Sequence, residues 1–166
     1  MVSAFVGLGS NLGKRQAALR TAARRLGEIA NTRVVKLATF RETEAVDSPP
    51  GAPRFINSAA ELETTLPPEA LLQALLHIER DLGRIRDAAP QNAPRLIDLD
   101  LLMYGNSTIK TASLTLPHPR MHLRRFVLEP LAEIAPAAIH PPTGKSVRDL
   151  LAALNASDRA PREPSP

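Results

Sequence analysis

Apolar residues recur along this chain at two spacings, alternate positions and every third or fourth, and the switches between them divide it into strands and helices. Residues 2–7 (VSAFVG) read as a short strand ending in a turn at Gly9-Ser10-Asn11. From 14 to 30, Ala18, Leu19, Ala22, Ala23, Leu26 and Ile29 fall at helical spacing, with Lys and Arg on the other face. Val34, Val35, Leu37 and Phe40 predict a second strand. The polar stretch 41–54, with Ser48-Pro49-Pro50-Gly51, predicts a loop, and 55–62 a third strand. Pro67-Pro68 opens a helix, and Glu69 in its first turn suits the positive end of the dipole. Leu71, Leu72, Leu75, Leu76 and Ile78 carry that helix to about Leu82, where Gly83 suits a stop. Residues 84–94 form a second loop. The most apolar strand is 96–103, and Gly105-Asn106 after it predicts a hairpin. A short strand at 114–116 comes next, then helices near 124–134 and 147–154. From Asn155 the chain is polar and Pro-rich, and 155–166 is expected to be disordered.

Helices and strands alternate, with hairpins between. The expectation is an α+β sandwich of helices on a mainly antiparallel sheet, as one domain over residues 1–154. No repeat and no dividing linker interrupts it. The loops 41–54 and 84–94 are long enough to act as lids.

Composition narrows the classes. The chain has 166 residues, 43% hydrophobic and 23% charged, as in an ordinary soluble domain. It has no Cys, so disulfide frameworks and thiolate metal sites are excluded. Its N-terminal apolar stretch is too short for a signal peptide or a membrane span, and a cytoplasmic protein with no membrane partner is expected. A net charge of +4 and a pI near 10.1 invite an anionic partner. With only 3% aromatics and no Trp, platforms for stacking single-stranded bases are few.

The chemistry concentrates in Pro94-Arg95-Leu96-Ile97-Asp98-Leu99-Asp100-Leu101-Leu102. In a strand, residues two apart share a face, so Asp98 and Asp100 stand side by side, roughly 6.5 Å apart. Like charges on one strand face repel, and Asp is disfavoured in strands, so two in an apolar run call for a reason. Hard carboxylate oxygens suit Mg²⁺, which binds one or two carboxylates together with substrate phosphates. Two such ions clamp a transferring phosphoryl group. Arg84, Arg86 and Arg95 flank the pair, and guanidinium groups bind phosphate in bidentate geometry. A closing 84–94 loop would bring them over a triphosphate and exclude water.

Two other motifs say less on their own. Gly7-Leu8-Gly9-Ser10-Asn11-Leu12-Gly13 misses the dinucleotide spacing by one residue and lacks the Gly-Lys-Ser/Thr of a phosphate loop, which leaves a tight strand-to-helix turn. Pro117-His118-Pro119-Arg120-Met121-His122 sets two His four apart, but Pro119 disfavours the regular helix a zinc pair needs.

Together, Gly7-Leu8-Gly9-Ser10-Asn11-Leu12, Phe55-Ile56-Asn57-Ser58-Ala59, Ala93-Pro94-Arg95 leading to Asp98-Leu99-Asp100, and the Pro117–His122 segment resemble the 6-hydroxymethyl-7,8-dihydropterin pyrophosphokinases, from Val2 to about Leu154. The resemblance implies a ferredoxin-like α/β/α sandwich and a transfer of pyrophosphate from ATP, with two Mg²⁺ ions, to the pterin alcohol, releasing AMP. It implies Asp98 and Asp100 as metal ligands and Arg84 and Arg95 as arginines assisting transfer. Glu79, Arg86, Arg95, Leu101, Thr115, His118 and Arg124 would line the ATP site. Thr43, Glu44, Val46, Asn57, Phe55 and Phe126 would form the pterin pocket, the two Phe rings sandwiching the pterin. Partners are then ATP and the pterin, with no nucleic acid, and a monomer is expected. Gln91, Asn92, Ser113, Pro119 and Leu123 depart from the family pattern. The competing expectation is a non-catalytic nucleotide- or RNA-binding module on the same kind of sheet, which predicts aromatics on two adjacent central strands.

Overall fold

The computed structural model describes residues 1–11, 13–43, 51, 54–83 and 96–159. Its centre is an antiparallel sheet of β1 (Val2–Ser10), β2 (Thr32–Leu37), β3 (Arg41–Thr43), β4 (Phe55–Thr64) and β5 (Asp98–Tyr104). The order across it is β2-β4-β1-β5, with β3 pairing β4 beyond β2. Helices α1 (Arg15–Gly27) and α2 (Pro68–Asp81) cover one face; α3 (Arg125–Ile134) and α4 (Val147–Arg159) cover part of the other. This is the ferredoxin-like three-layer sandwich. No described helix is long and apolar enough to cross a membrane.

Strand alternation assigns the two cores. Ala4, Val6 and Leu8 of β1 join Leu62, Leu99 and Leu101 under Leu19, Leu26, Leu71 and Leu75 of α1 and α2. Phe5, Ala59 and Met103 point the other way, against Leu128 and Leu131 of α3 and Val147 and Leu150 of α4. The β1–β5 register shifts between Phe5 and Val6, leaving Leu102 as an extra residue, so Leu102 and Met103 both reach the second core. Further along this second face, Gly7, Gly9, Asn57, Asp98 and Asp100 belong to neither core. That uncovered end holds the candidate site.

Several local expectations need correction. Residues 9 and 10 continue β1, because Gly9 and Ser10 pair with Asn57 and Ile56, so no turn begins at Gly9. The polar stretch after Phe40 starts as a strand, since Arg41–Thr43 pair with Asn57–Phe55; 44–50, 52 and 53 lie outside the described residues. Gly105, at φ 52, turns the chain, but the next strand does not pair with β5. Instead β6 (Ile109–Lys110) pairs β7 (Thr115–Leu116). Helix α4 continues to Arg159, past the expected end near Leu154. A 3-10 turn (Met121–Leu123) and the hairpin of β8 (Ile139–His140) and β9 (Lys145–Ser146) were not anticipated. The helix from Pro68 with Glu69 in its first turn, and Gly83 at φ +92 after it, agree with the sequence.

Candidate functional site

The site is built by register. Asp98 stands opposite Gly9, Gly9 opposite Asn57, and Asn57 opposite Arg41, a row across four strands. The neighbouring row runs Asp100, Gly7, Ala59. The acid pair on β5 and the amide on β4 therefore share one face, about 10 Å apart across two strand spacings. The strand between them offers no side chain at residues 7 and 9.

The backbone pairing shows why that strand carries glycine. The Leu99 N–H donates to Glu79 Oε2 at 3.0 Å, so residue 99 turns its backbone groups away from β1. By alternation, Asp98 and Asp100 exchange theirs with Gly9 and Gly7. Toward β4, the glycines then sit in the closer, non-hydrogen-bonded type of pair, with Cα atoms about 4.5 Å apart. A Cβ on Gly9 would lie 3.0 Å from Asn57 Oδ1 and 3.7 Å from Phe55 Cδ1. On Gly7 its nearest neighbours would be the Leu102 side-chain atoms, from an ordinary 3.5 Å outward.

Asn57 is buried, and its Nδ2 donates to Thr43 Oγ1 at 2.5 Å, which turns Oδ1 toward Gly9. The structure thus brings Asn57, Thr43 and Phe55 together at one end of the row, Phe55 lying opposite Thr43. Phe126 comes from the first turn of α3, with the Arg124 guanidinium 5.6 Å from its ring centroid. The start of β5 is strapped to the end of β1, where the buried Ser10 hydroxyl donates to the Leu96 carbonyl at 2.5 Å.

Beyond β5, the edge strand of the central sheet on that side, lies a cavity of about 240 Å³. Leu72 and Leu76 of α2, Leu101, and Leu114 give it apolar walls; Asp100, Thr115 and His118 give it polar points. Because residue 99 faces outward, residue 101 does too, so the backbone edge of Leu101 is presented to this cavity. The segment carrying His118 is pinned to the same strand, the His118 N–H donating to the Leu102 carbonyl at 2.8 Å. Burial, then the positive charge of Arg124, holds the His118 imidazole below the usual 6.5, and Asp98 pulls the other way. His118 is therefore neutral near pH 7. Its Nδ1 accepts from the Arg120 N–H at 3.3 Å, leaving Nε2 as the donor.

Of the expected site residues, Asp98, Asp100, Leu101, Thr115, His118, Arg124, Thr43, Asn57, Phe55 and Phe126 are placed as above. Glu79 is 1% exposed and lies beneath β5. Arg84, Arg86, Arg95, Glu44 and Val46, with the departures Gln91 and Asn92, lie outside the described residues. Ser113 borders the cavity and donates to Glu69 at 2.9 Å. From sequence, Gly7 and Gly9 read as part of a turn motif, and Leu72, Leu76 and Leu114 as helix and strand residues, none of them as part of the site. The glycines carried a signal all the same: they recur at period two inside an apolar strand, as the aspartates do.

Comparison with known proteins places this chain in a class of pterin pyrophosphokinases. The model of the 7,8-dihydro-6-hydroxymethylpterin-pyrophosphokinase (HPPK) family matches residues 5–136. A 2-amino-4-hydroxy-6-hydroxymethyldihydropteridine pyrophosphokinase of Synechocystis is 41% identical over 148 residues, 89% of this chain and 74% of that protein. The protein of the same name from Bacillus subtilis is 43% identical over 131 residues, 79% and 77% of the two chains. The chain belongs to the HPPK family. Among solved structures, an HPPK-DHPS in complex with substrates superposes with a TM-score of 0.72 at 16% identity, over 95% of this chain and 44% of that one. A Plasmodium falciparum HPPK-DHPS with pteroate gives 0.71 at 14% identity, over 92% and 42%. This chain spans under half the length of those two, and at such identity the likeness concerns the fold.

Proposed function

We infer that this chain carries out its family's reaction, the transfer of pyrophosphate from ATP to 6-hydroxymethyl-7,8-dihydropterin, and that the open sheet face is where it does so. The observation that carries the reading is the order of groups across the sheet. Asn57, Thr43 and Phe55 come first, then the bare glycine strand, then Asp98 and Asp100, then the cavity beyond β5. Such an order lays two substrates end to end with the acid pair between them.

Each group suits its place. A pterin is flat with a hydrogen-bonding edge, which Asn57 matches as donor and acceptor while Phe55 and Phe126 offer ring faces. A nucleobase is flat too, and the leucine-walled cavity with the outward backbone of Leu101, the Thr115 hydroxyl and neutral His118 can grip it. Asp98 and Asp100 fit Mg²⁺: two hard oxygen donors on one face of a strand would leave positions for phosphate and water. Two magnesium ions held by Asp98 and Asp100 would supply charge neutralisation on the polyphosphate. The hydroxymethyl oxygen attacks the β-phosphorus as the bond from that phosphorus to the α,β-bridging oxygen breaks; AMP leaves with the bridging oxygen, and the alcohol proton is released to water. A primary alcohol is a weak nucleophile, so alignment by the two pockets supplies much of the rate. We place Arg84 and Arg95 as helpers of the transfer, Arg86 and Arg124 on the nucleotide, and Glu44 and Val46 on the pterin. The chain acts as a cytoplasmic monomer with ATP and the pterin as partners. The RNA-binding alternative predicts aromatics on both central strands, β4 and β1; on this open face β4 carries Phe55, whereas β1 carries Gly7 and Gly9.

The layout is tested by perturbing one end at a time. Asn57→Ala is expected to weaken pterin binding about 10- to 100-fold, because leaving a buried polar edge without its hydrogen-bond partner costs about 1–3 kcal/mol, while affinity for a non-hydrolysable ATP analogue holds. Leu72→Trp, filling the cavity, is expected to do the reverse. Calorimetric titration of each variant with each ligand decides it. Equal losses of both ligands in both variants would contradict the two-ended arrangement.

A further inference from the structure

Glu79 sits where a core residue belongs. With Leu71, Leu75 and Ile78 it forms the buried stripe of α2, and only 1% of it is exposed. It is also in the last turn of that helix, where the dipole is negative and a carboxylate is disfavoured. A leucine would fill the stripe at less cost, since burying a carboxylate demands compensating hydrogen bonds. Part of that compensation is visible: Oε2 accepts the Leu99 N–H at 3.0 Å.

The peptide it holds is the one between the two aspartates. Among the described residues, no strand pairs with the outer edge of β5, so a backbone donor at residue 99 needs a partner from elsewhere. Leu99 is itself buried under α2, while Asp98 and Asp100 project to the opposite face. Fixing the 99 peptide fixes the angle and spacing of the two carboxylates. We propose that Glu79 is a positioning residue for the acid pair, acting through the Leu99 amide and not by contact with the nucleotide. This rests on the reading that Asp98 and Asp100 hold the metal, and it changes the role that family resemblance gives to Glu79.

The test uses two variants. Glu79→Gln keeps an oxygen acceptor and the volume; Glu79→Leu keeps only the volume. Three quantities are measured: hydrogen exchange of the Leu99 amide by NMR, magnesium-dependent binding of a non-hydrolysable ATP analogue, and turnover. The glutamine variant is expected to keep Leu99 protected and turnover within about threefold. In the leucine variant Leu99 exchange should rise, and magnesium-dependent binding and turnover should fall together by about 10- to 100-fold, as supports of metal ligands do. If Glu79→Gln lost activity as severely as Glu79→Leu while its Leu99 amide stayed protected, the charge would be acting on a ligand and the proposal would fail. Should Glu79→Leu not fold, the glutamine variant decides alone by that same pairing of exchange and turnover. Failure of the metal reading is seen separately, as magnesium-dependent binding that survives loss of Asp98.

Discussion

Asp98→Asn and Asp100→Asn each lower turnover about a thousandfold or more, the scale set by losing preorganised charge stabilisation of the reacting group, while the melting temperature holds or rises. The reason lies in the placement of the pair. Both carboxylates stand on one face of a strand that Ser10 straps at its start, that Leu99 and Leu101 bury from below and that Glu79 holds at its outer edge. Nothing in this arrangement lets either residue take over for the other. At the same time, two like charges two residues apart on one face repel, and asparagine keeps the size of aspartate, so the substitution leaves the fold in place. Loss of activity with retained stability separates a functional pair from a structural one. Turnover, its magnesium dependence and a thermal melt are the measurements. A variant that kept more than about a tenth of wild-type turnover, well short of the loss expected for such a group, would remove the pair from the chemistry.

Gly9→Val is expected to cost about 100-fold in kcat/KM for the pterin, the scale on which small misplacements at a reacting centre are felt. Its Cβ would come within 3.0 Å of Asn57 Oδ1, and its methyl groups would occupy the floor between the amide and Asp98. Strands favour β-branched residues, so the protein itself should remain folded. Gly7→Ala is the control. Its Cβ meets Leu102 first, at 3.5 Å, and it should lose less than about fivefold, since ordinary contact forces no rearrangement of the reacting groups. Steady-state kinetics on the two variants, with circular dichroism to confirm folding, test the glycine floor. Equal effects at positions 7 and 9 would contradict it.

How much of this could be read from the sequence depends on the range of the interaction. The acid pair was legible because its signal is local: two Asp at period two in an apolar run. Helix α2 was legible through its leucine spacing and Pro67-Pro68. The glycines of β1 were misread as a turn because their meaning lies in partners about fifty and ninety residues away, Asn57 and Asp98. Residues 41–43 looked like loop for the same reason. Polar on their own, they become a strand only through the free edge of β4. Gly105 suggested a hairpin, and it does turn the chain, but β5 keeps that edge for α2 and His118. The pterin end and the nucleotide end were named through family resemblance, whereas the cavity walls Leu72, Leu76 and Leu114 come from separate parts of the chain with no shared motif.

Product identity tests the central claim most directly. The protein is incubated with ATP, magnesium and 6-hydroxymethyl-7,8-dihydropterin, and the phosphorus species are tracked by NMR. The account predicts AMP and pterin diphosphate appearing in equal amounts, and only when the pterin is present. ADP with a pterin monophosphate, or ATP consumed at the same rate without pterin, would contradict it.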